Sequence, residues 1–133
     1  MKFEINQCIA SRLRRLSRIA DSYLRKQLEG FDITENQMNI LFILYKLGRV
    51  EQGVIGKKLV LERSTVSRGV KLLEKQEYVK RTSDYRPDIE LTSKGRLLVE
   101  KLIPVWEKFM DDICAKMGER GMEQIEKLEK LIG

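Results

Sequence analysis

The chain has 133 residues, 26 Lys and Arg against 20 Asp and Glu, and a net charge of +6. That length supports one folded core, or a core with a helical extension, without metal or disulfide help. The excess of cations favours a polyanionic partner, without choosing among nucleic acid, an anionic membrane surface and an acidic protein. No histidine is present, which removes Ser-His-Asp and Cys-His catalysis and the commonest metal ligand. The two cysteines, Cys8 and Cys114, form neither a CxxC pair nor a disulfide framework. There is no glycine-rich phosphate loop and no stretch of about 20 apolar residues that would span a bilayer. The expectation is a non-enzymatic, cofactor-free protein with no membrane segment. No apolar h-region follows Met1, so the expected location is the cytoplasm.

Residues 5–28 place Ile9, Leu13, Leu16, Ala20, Tyr23, Leu24 and Leu28 at helical spacing, with arginines over the remaining surface. Gly30-Phe31-Asp32 breaks this helix. Thr34 and Gln37 then match a capping box, with Ile33 and Met38 as its hydrophobic staple. The helix they open is apolar nearly all round up to Leu47, which predicts a central, buried position. Gly48 is its expected stop.

A short segment from Glu51 to Val60 follows, with Val54, Ile55 and Leu59 expected inside. The stretch Leu59 to Lys75, wound as a helix, sorts into two faces. Val66, Val70 and Leu73 fall on one side; Ser64, Ser67, Arg68, Lys71 and Lys75 fall on the other. The second face is either a solvated polar surface or one that enters a DNA major groove, where hydroxyls and guanidinium groups meet phosphates and base edges. Two helices joined by a tight turn, the second bearing the basic face, make a helix-turn-helix.

After Lys75 the period changes to two. Residues 78–82 and 88–91 read as short strands around the turn residues 83–87. A hairpin directly after such a helix is a wing, and its tip offers Arg86, with Arg81 close by. Minor-groove or phosphate contact is the functional reading of those two arginines. Thr92 caps a long helix, helped by Ser93, with an apolar stripe from Leu97 to Met117. Pro104 inside it predicts a kink, and Gly118 and Gly121 predict its end. A last short helix carries Met122, Ile125, Leu128 and Ile132.

The resulting fold class is mainly α with a small β-hairpin: a winged helix-turn-helix core plus N- and C-terminal helices. The apolar terminal helices look like interface surface. The expected division is a dimerisation region, residues 1–30 and 93–133, and a winged lobe, residues 31–92.

These motifs resemble the MarR family of winged helix-turn-helix transcription regulators. The resemblance is carried by Ile33-Thr34-x-x-Gln37, Ser64-Thr65-Val66-Ser67-Arg68, Leu73-Glu74-Lys75, Asp84-x-Arg86 and Leu91-Thr92-x-x-Gly95-Arg96, in order. It implies a homodimer, most simply a repressor, on a pseudo-palindromic operator of double-stranded DNA. Half-sites would lie about one helical turn, ~34 Å, apart. By family pattern Ser64, Thr65, Ser67 and Arg68 fall where DNA is contacted, and Arg86 falls where a wing arginine does. Helical-face geometry adds Lys71 and Lys75; Arg63, beside the helix start, is a phosphate candidate. The resemblance also implies a small aromatic or lipophilic effector, or a redox-active cysteine near the N-terminus. A redox-active Cys8 needs cations nearby, for which Arg12 lies one turn on; the other reading of Cys8 is a small buried hydrophobe. Glu77 departs from the family pattern, since members often carry glycine there. It and a short wing motivate the alternative of a protein-interaction module without DNA binding.

Overall fold

A computed structural model describes residues 1–83 and 85–133. Asp84, part of the wing-tip motif, lies outside the described residues. A single 3-10 turn, Ile5–Gln7, leads into α1, Ile9–Gln27. The later elements are α2 (Glu35–Leu47), β1 (Val50–Glu51), α3 (Gln52–Leu59), α4 (Arg63–Lys75), β2 (Val79–Arg81), β3 (Asp88–Leu91) and α5 (Ser93–Ile132). They form two compact units: Met1–Glu29 with Val105–Gly133, and Gly30–Pro104.

In the Gly30–Pro104 unit, the capping box forms as the sequence requires. The Gln37 N–H donates to Thr34 Oγ1 at 3.2 Å, and the Thr34 N–H donates to Gln37 Oε1 at 2.8 Å. Such a cap contributes about 1 kcal/mol. Gln37 is buried, so its remaining donor needs a partner. Its Nε2 donates to Gln76 Oε1 at 3.4 Å, and Gln76 Nε2 donates to the Asp32 carbonyl at 3.0 Å. The end of α4 is thereby tied to the start of α2. Met38, Ile40, Leu41 and Leu44 of α2 are buried, as are Ile55 of α3 and Val66, Val70 and Leu73 of α4. Val79, Ile89, Val99 and Leu102 complete this core. Val54 is instead solvent-facing, because two-turn α3 offers only one side to the core.

The expected hairpin is the larger part of a three-stranded antiparallel sheet in the order β1-β3-β2. Strand β1 pairs Val50 with Ile89 and Glu51 with Asp88. Strands β2 and β3 pair Val79 with Leu91, Lys80 with Glu90, and Arg81 with Ile89. Two residues are too few to show a period, so β1 carries no sequence signal.

The basic helix starts later than the sequence pattern implies. Leu59 ends α3, Val60 turns with φ 53° and ψ 49°, and helical geometry resumes at Arg63. The other end of α4 is a complete Schellman turn. The Tyr78 N–H donates to the Leu73 carbonyl at 2.9 Å and the Glu77 N–H to the Glu74 carbonyl at 3.0 Å. That turn demands positive φ at Glu77, which adopts 67°. The glycine that the resemblance leads one to expect at this position has that steric origin. Thr92 caps α5, accepting from the Gly95 N–H at 3.0 Å and donating to the Glu77 carbonyl at 2.6 Å. Gly95 sits so close to the Tyr78 carbonyl that any β-carbon would strike it. The start of α5 is thus locked onto the root of the wing.

Within α5, the break falls at Gly118 (φ 71°, ψ 172°), not at Pro104. Proline's φ is compatible with helix. The carbonyl it orphans belongs to Glu100, and both residues are exposed, so water can take the lost hydrogen bond. Gly121 is helical rather than terminal.

In the other unit, Leu24 and Leu28 are buried, and the Lys116 ammonium lies 5.1 Å from the Tyr23 ring centre. That ring's hydroxyl holds the Lys116 pKa above its usual value. Ile9, Leu13, Leu16 and Ile19 on α1 remain exposed, as do Ile125, Leu128, Leu131 and Ile132.

Candidate nucleic-acid interface

Helix α4 presents the two faces its sequence dictates. Val66, Val70 and Leu73 are buried, while Ser64, Arg68, Lys71 and Lys75 are exposed. At about 100° per residue those four lie within roughly 60° of arc, one row along the helix. Ser67 and Thr65 flank the row and are half-buried. Arg63 stands exposed in the first turn. Among the described residues, Arg63, Arg68, Lys71 and Lys75 have no acidic partner. Unpaired cations hold their charge ready for an external anion.

The helix-turn-helix aims this row. The Leu61 N–H donates to the Gly56 carbonyl at 3.0 Å, closing the turn after α3. A β-carbon at Gly56 would press the Leu61 carbonyl at 3.3 Å. A β-carbon at Gly69 would meet Ile40 Cδ1 at 2.8 Å, so the inner side of α4 lies hard against α2. Such packing makes α4 a rigid carrier for its outer face.

The wing places Arg86 in the open, with φ 46° and its guanidinium 5.5 Å from the exposed Tyr85 ring. Arg81 is differently placed: half-buried, it bonds the Glu74 carboxylate at 3.3 Å and fastens β2 to α4. A groove of ≈ 1100 Å³ runs between α3, the start of α4 and the wing. Lys57, Arg63, Arg81 and Arg86 line it, opposed by Glu51 and Glu62.

Three participants escape a reading of the sequence. Lys57 reaches the groove from α3. Tyr85 supports the wing arginine, though an aromatic beside a turn arginine is a signal that could have been used. The third is a clamp across the sheet: Glu90 on β3 bonds Arg49 Nε at 3.1 Å and Lys80 Nζ at 3.5 Å. The Arg49 hydrogen bond and charge, and then Lys80, hold the Glu90 carboxyl below the usual carboxylate value. Alternation alone would show that Lys80 and Glu90 share a face, but not that Arg49 joins them.

Cys8 belongs to the unit Met1–Glu29 with Val105–Gly133. It is exposed at the N-cap of α1, which overturns the reading of a buried hydrophobe. The Ser11 side chain and backbone, then the Ala10 backbone and the Arg14 charge, hold its thiol below the usual value of 9.0. Arg14, not Arg12, supplies the cation. Cys114 is half-buried.

A helix-turn-helix whose second helix exposes cations that have no acidic partner among the described residues, followed at once by an antiparallel wing, defines the winged helix-turn-helix class. Residues 33–86 match the MarR family. An HTH-type transcriptional regulator of Bacillus cereus strain ATCC 10987 is 26% identical over 126 residues, 91% of this chain and 86% of that protein. Another, of Bacillus subtilis strain 168, is 25% identical over 130 residues, 96% and 95% of the two chains. Staphylococcus aureus MepR, solved in complex with DNA, is 27% identical with a TM-score of 0.78 over 97% of each chain. Bordetella bronchiseptica BpsR shares the fold with a TM-score of 0.89 at 17% identity, covering 99% of this chain and 98% of its own. The chain is thus similar to the MarR family over residues 33–86, and the matched Bacillus relatives are HTH-type transcriptional regulators.

Proposed function

We propose that this chain is a DNA-binding transcription regulator that acts as a homodimeric, cytoplasmic repressor on a pseudo-palindromic operator. The observation that carries the reading is the exposed row Ser64, Arg68, Lys71 and Lys75, its cations without an acidic partner among the described residues, directly opposite the buried Val66, Val70 and Leu73. Arg63, Lys71, Lys75 and the wing's Arg86 neutralise phosphates and release counterions, supplying most of the affinity. Ser64, Thr65, Ser67 and Arg68 face base edges and supply selectivity. Arg81 acts through Glu74, holding the wing at its angle to α4. The exposed apolar residues of α1 and of the last turns of α5 form the self-association surface, since solvent-facing stripes of that kind are stabilised by a second copy.

The alternative of a DNA-free interaction module leans on Glu77 and the short wing. Glu77 is accommodated at φ 67°, and Arg86 remains exposed at the tip, so neither disables the surface. A small aromatic effector is the expected ligand class. BpsR DNA binding is regulated by 6-hydroxynicotinic acid, and Streptomyces coelicolor PcaV was solved with its natural ligand.

Selection of bound sequences from random duplex DNA tests the proposal. A palindromic consensus with half-sites about 10 base pairs apart is expected from two related recognition helices. Arg68→Ala should cost about 1–3 kcal/mol on the selected site and flatten preference at one base pair of each half-site. Failure to enrich any sequence refutes the reading. Equal weakening on all sequences reassigns Arg68 to a phosphate.

A further inference from the structure

Sulfur is concentrated in one place in this chain. Three of its five methionines, Met110, Met117 and Met122, lie within 13 residues, and Cys114 falls among them. On a helix Met110 and Met117 stand four before and three after Cys114, on its own face. Met122 is eight residues on. In a straight helix it would sit about 12 Å further along the axis and turned away by about 80°. The break at Gly118 changes that: Cys114 Sγ and Met122 Sδ lie 3.7 Å apart. Met117 packs beside Gly121, the residue before Met122, its Cβ 3.0 Å and its Cε 3.7 Å from where a β-carbon on Gly121 would stand. A thiol and two thioethers therefore flank a glycine bend that only a residue without a β-carbon adopts freely.

We propose that Cys114, Met117 and Met122 form a binding site for a soft monovalent cation, Cu(I). The sulfur separation supports one shared ion. The Cys114 thiol donates to the Met122 thioether at 3.7 Å; two ligands at about 2.3 Å from one metal stand about 3.75–4.0 Å apart at angles of about 109–120°, so one ion fits where the thiol proton now bridges the pair. The donor set selects the ion: thiolate with thioether suits Cu(I). Zinc takes thiolate, imidazole or carboxylate. Histidine is absent from the chain, and among the described residues no three of His, Cys, Asp and Glu converge. On binding, the Cys114 S–H bond breaks, an S–Cu bond forms, the proton passes to water, and copper keeps its oxidation state. The ion ties the helical segments on either side of Gly118 together.

The test is anaerobic titration of the reduced full-length chain with Cu(I) held by bicinchoninate. Wild type and Cys8→Ser should each withdraw one Cu(I) per chain, with near-ultraviolet thiolate-to-copper absorption. Cys114→Ser should lose that absorption and the bound ion. Met122→Leu, of similar volume but without sulfur, should weaken binding at least about tenfold, the cost even of losing a group behind a ligand. Met117→Leu should weaken it too, and circular dichroism should find both leucine variants as helical as wild type. These two variants decide the matter even where Cys114→Ser misfolds. No uptake by wild type, uptake that follows Cys8, or wild-type affinity in both leucine variants overturns the proposal.

Discussion

Replacing Lys75 with alanine tests how the cationic row works. Lys75 is exposed at the last turn of α4 and has no acidic partner among the described residues, so its loss removes a charge without opening the core. With Arg68 assigned to a base, each chain offers four phosphate-neutralising cations: Arg63, Lys71, Lys75 and Arg86. Two chains offer eight. At about 0.9 per phosphate, log K should fall against log salt with a slope of about −7.2. A fourfold rise in salt then weakens binding by about 4.3 decades. Lys75→Ala removes one contact per chain, leaving six, a slope of about −5.4 and a loss of about 3.3 decades over the same range. Fluorescence anisotropy with a labelled operator duplex at several salt concentrations reads both slopes. A wild-type slope near −3.6 would mean that only one chain engages DNA. An unchanged slope in a variant of lower affinity would show that Lys75 does not neutralise phosphate, and would refute the assignment of this face.

Three further outcomes follow from other parts of the molecule. Glu90 has a carboxyl pKa held below its ordinary 4.5, so its stabilising contribution is complete above that value and disappears as pH falls through the depressed one. Glu90→Gln should lower Tm by a constant amount at neutral pH, and the gap should close in acid; a gap that widens on acidification contradicts the clamp. Glu77→Gly relieves a positive-φ penalty of about 1–2 kcal/mol and gives back about 0.5–1 kcal/mol of chain entropy. Denaturant melts should find the variant about 0.5–1 kcal/mol more stable, and a loss of stability would show that the Glu77 side chain makes a contact of its own. Cys8 should be alkylated by iodoacetamide faster than Cys114 near neutral pH, with a rate inflection below 9.0 that Ser11→Ala raises. Equal rates, or an inflection indifferent to Ser11, would rule out an activated thiol.

Local chemistry made much of this protein readable before any coordinates. The Thr34–Gln37 capping box, the three buried residues of α4 and the alternation of β2 and β3 depend on neighbours within a few positions, where period and capping rules act. The basic row of α4 is readable for the same reason: a helix repeats, so faces follow from spacing. What sequence could not decide was settled by partners distant along the chain. Strand β1 exists only because β3 offers it an edge. That Arg81 pairs with Glu74 is visible only once β2 lies beside α4, and Cys8 reads as buried until α1 leaves its first turn open to solvent. Within α5 the two expectations part: Gly118 breaks the helix as its residue type predicts, whereas Pro104 does not. Proline's missing hydrogen bond can be made good by water where the backbone is exposed, whereas a glycine at φ 71° redirects the chain itself. Spacing along a chain records which side chains share a face; only the packed structure decides which of those faces meet a partner and which stay free to bind.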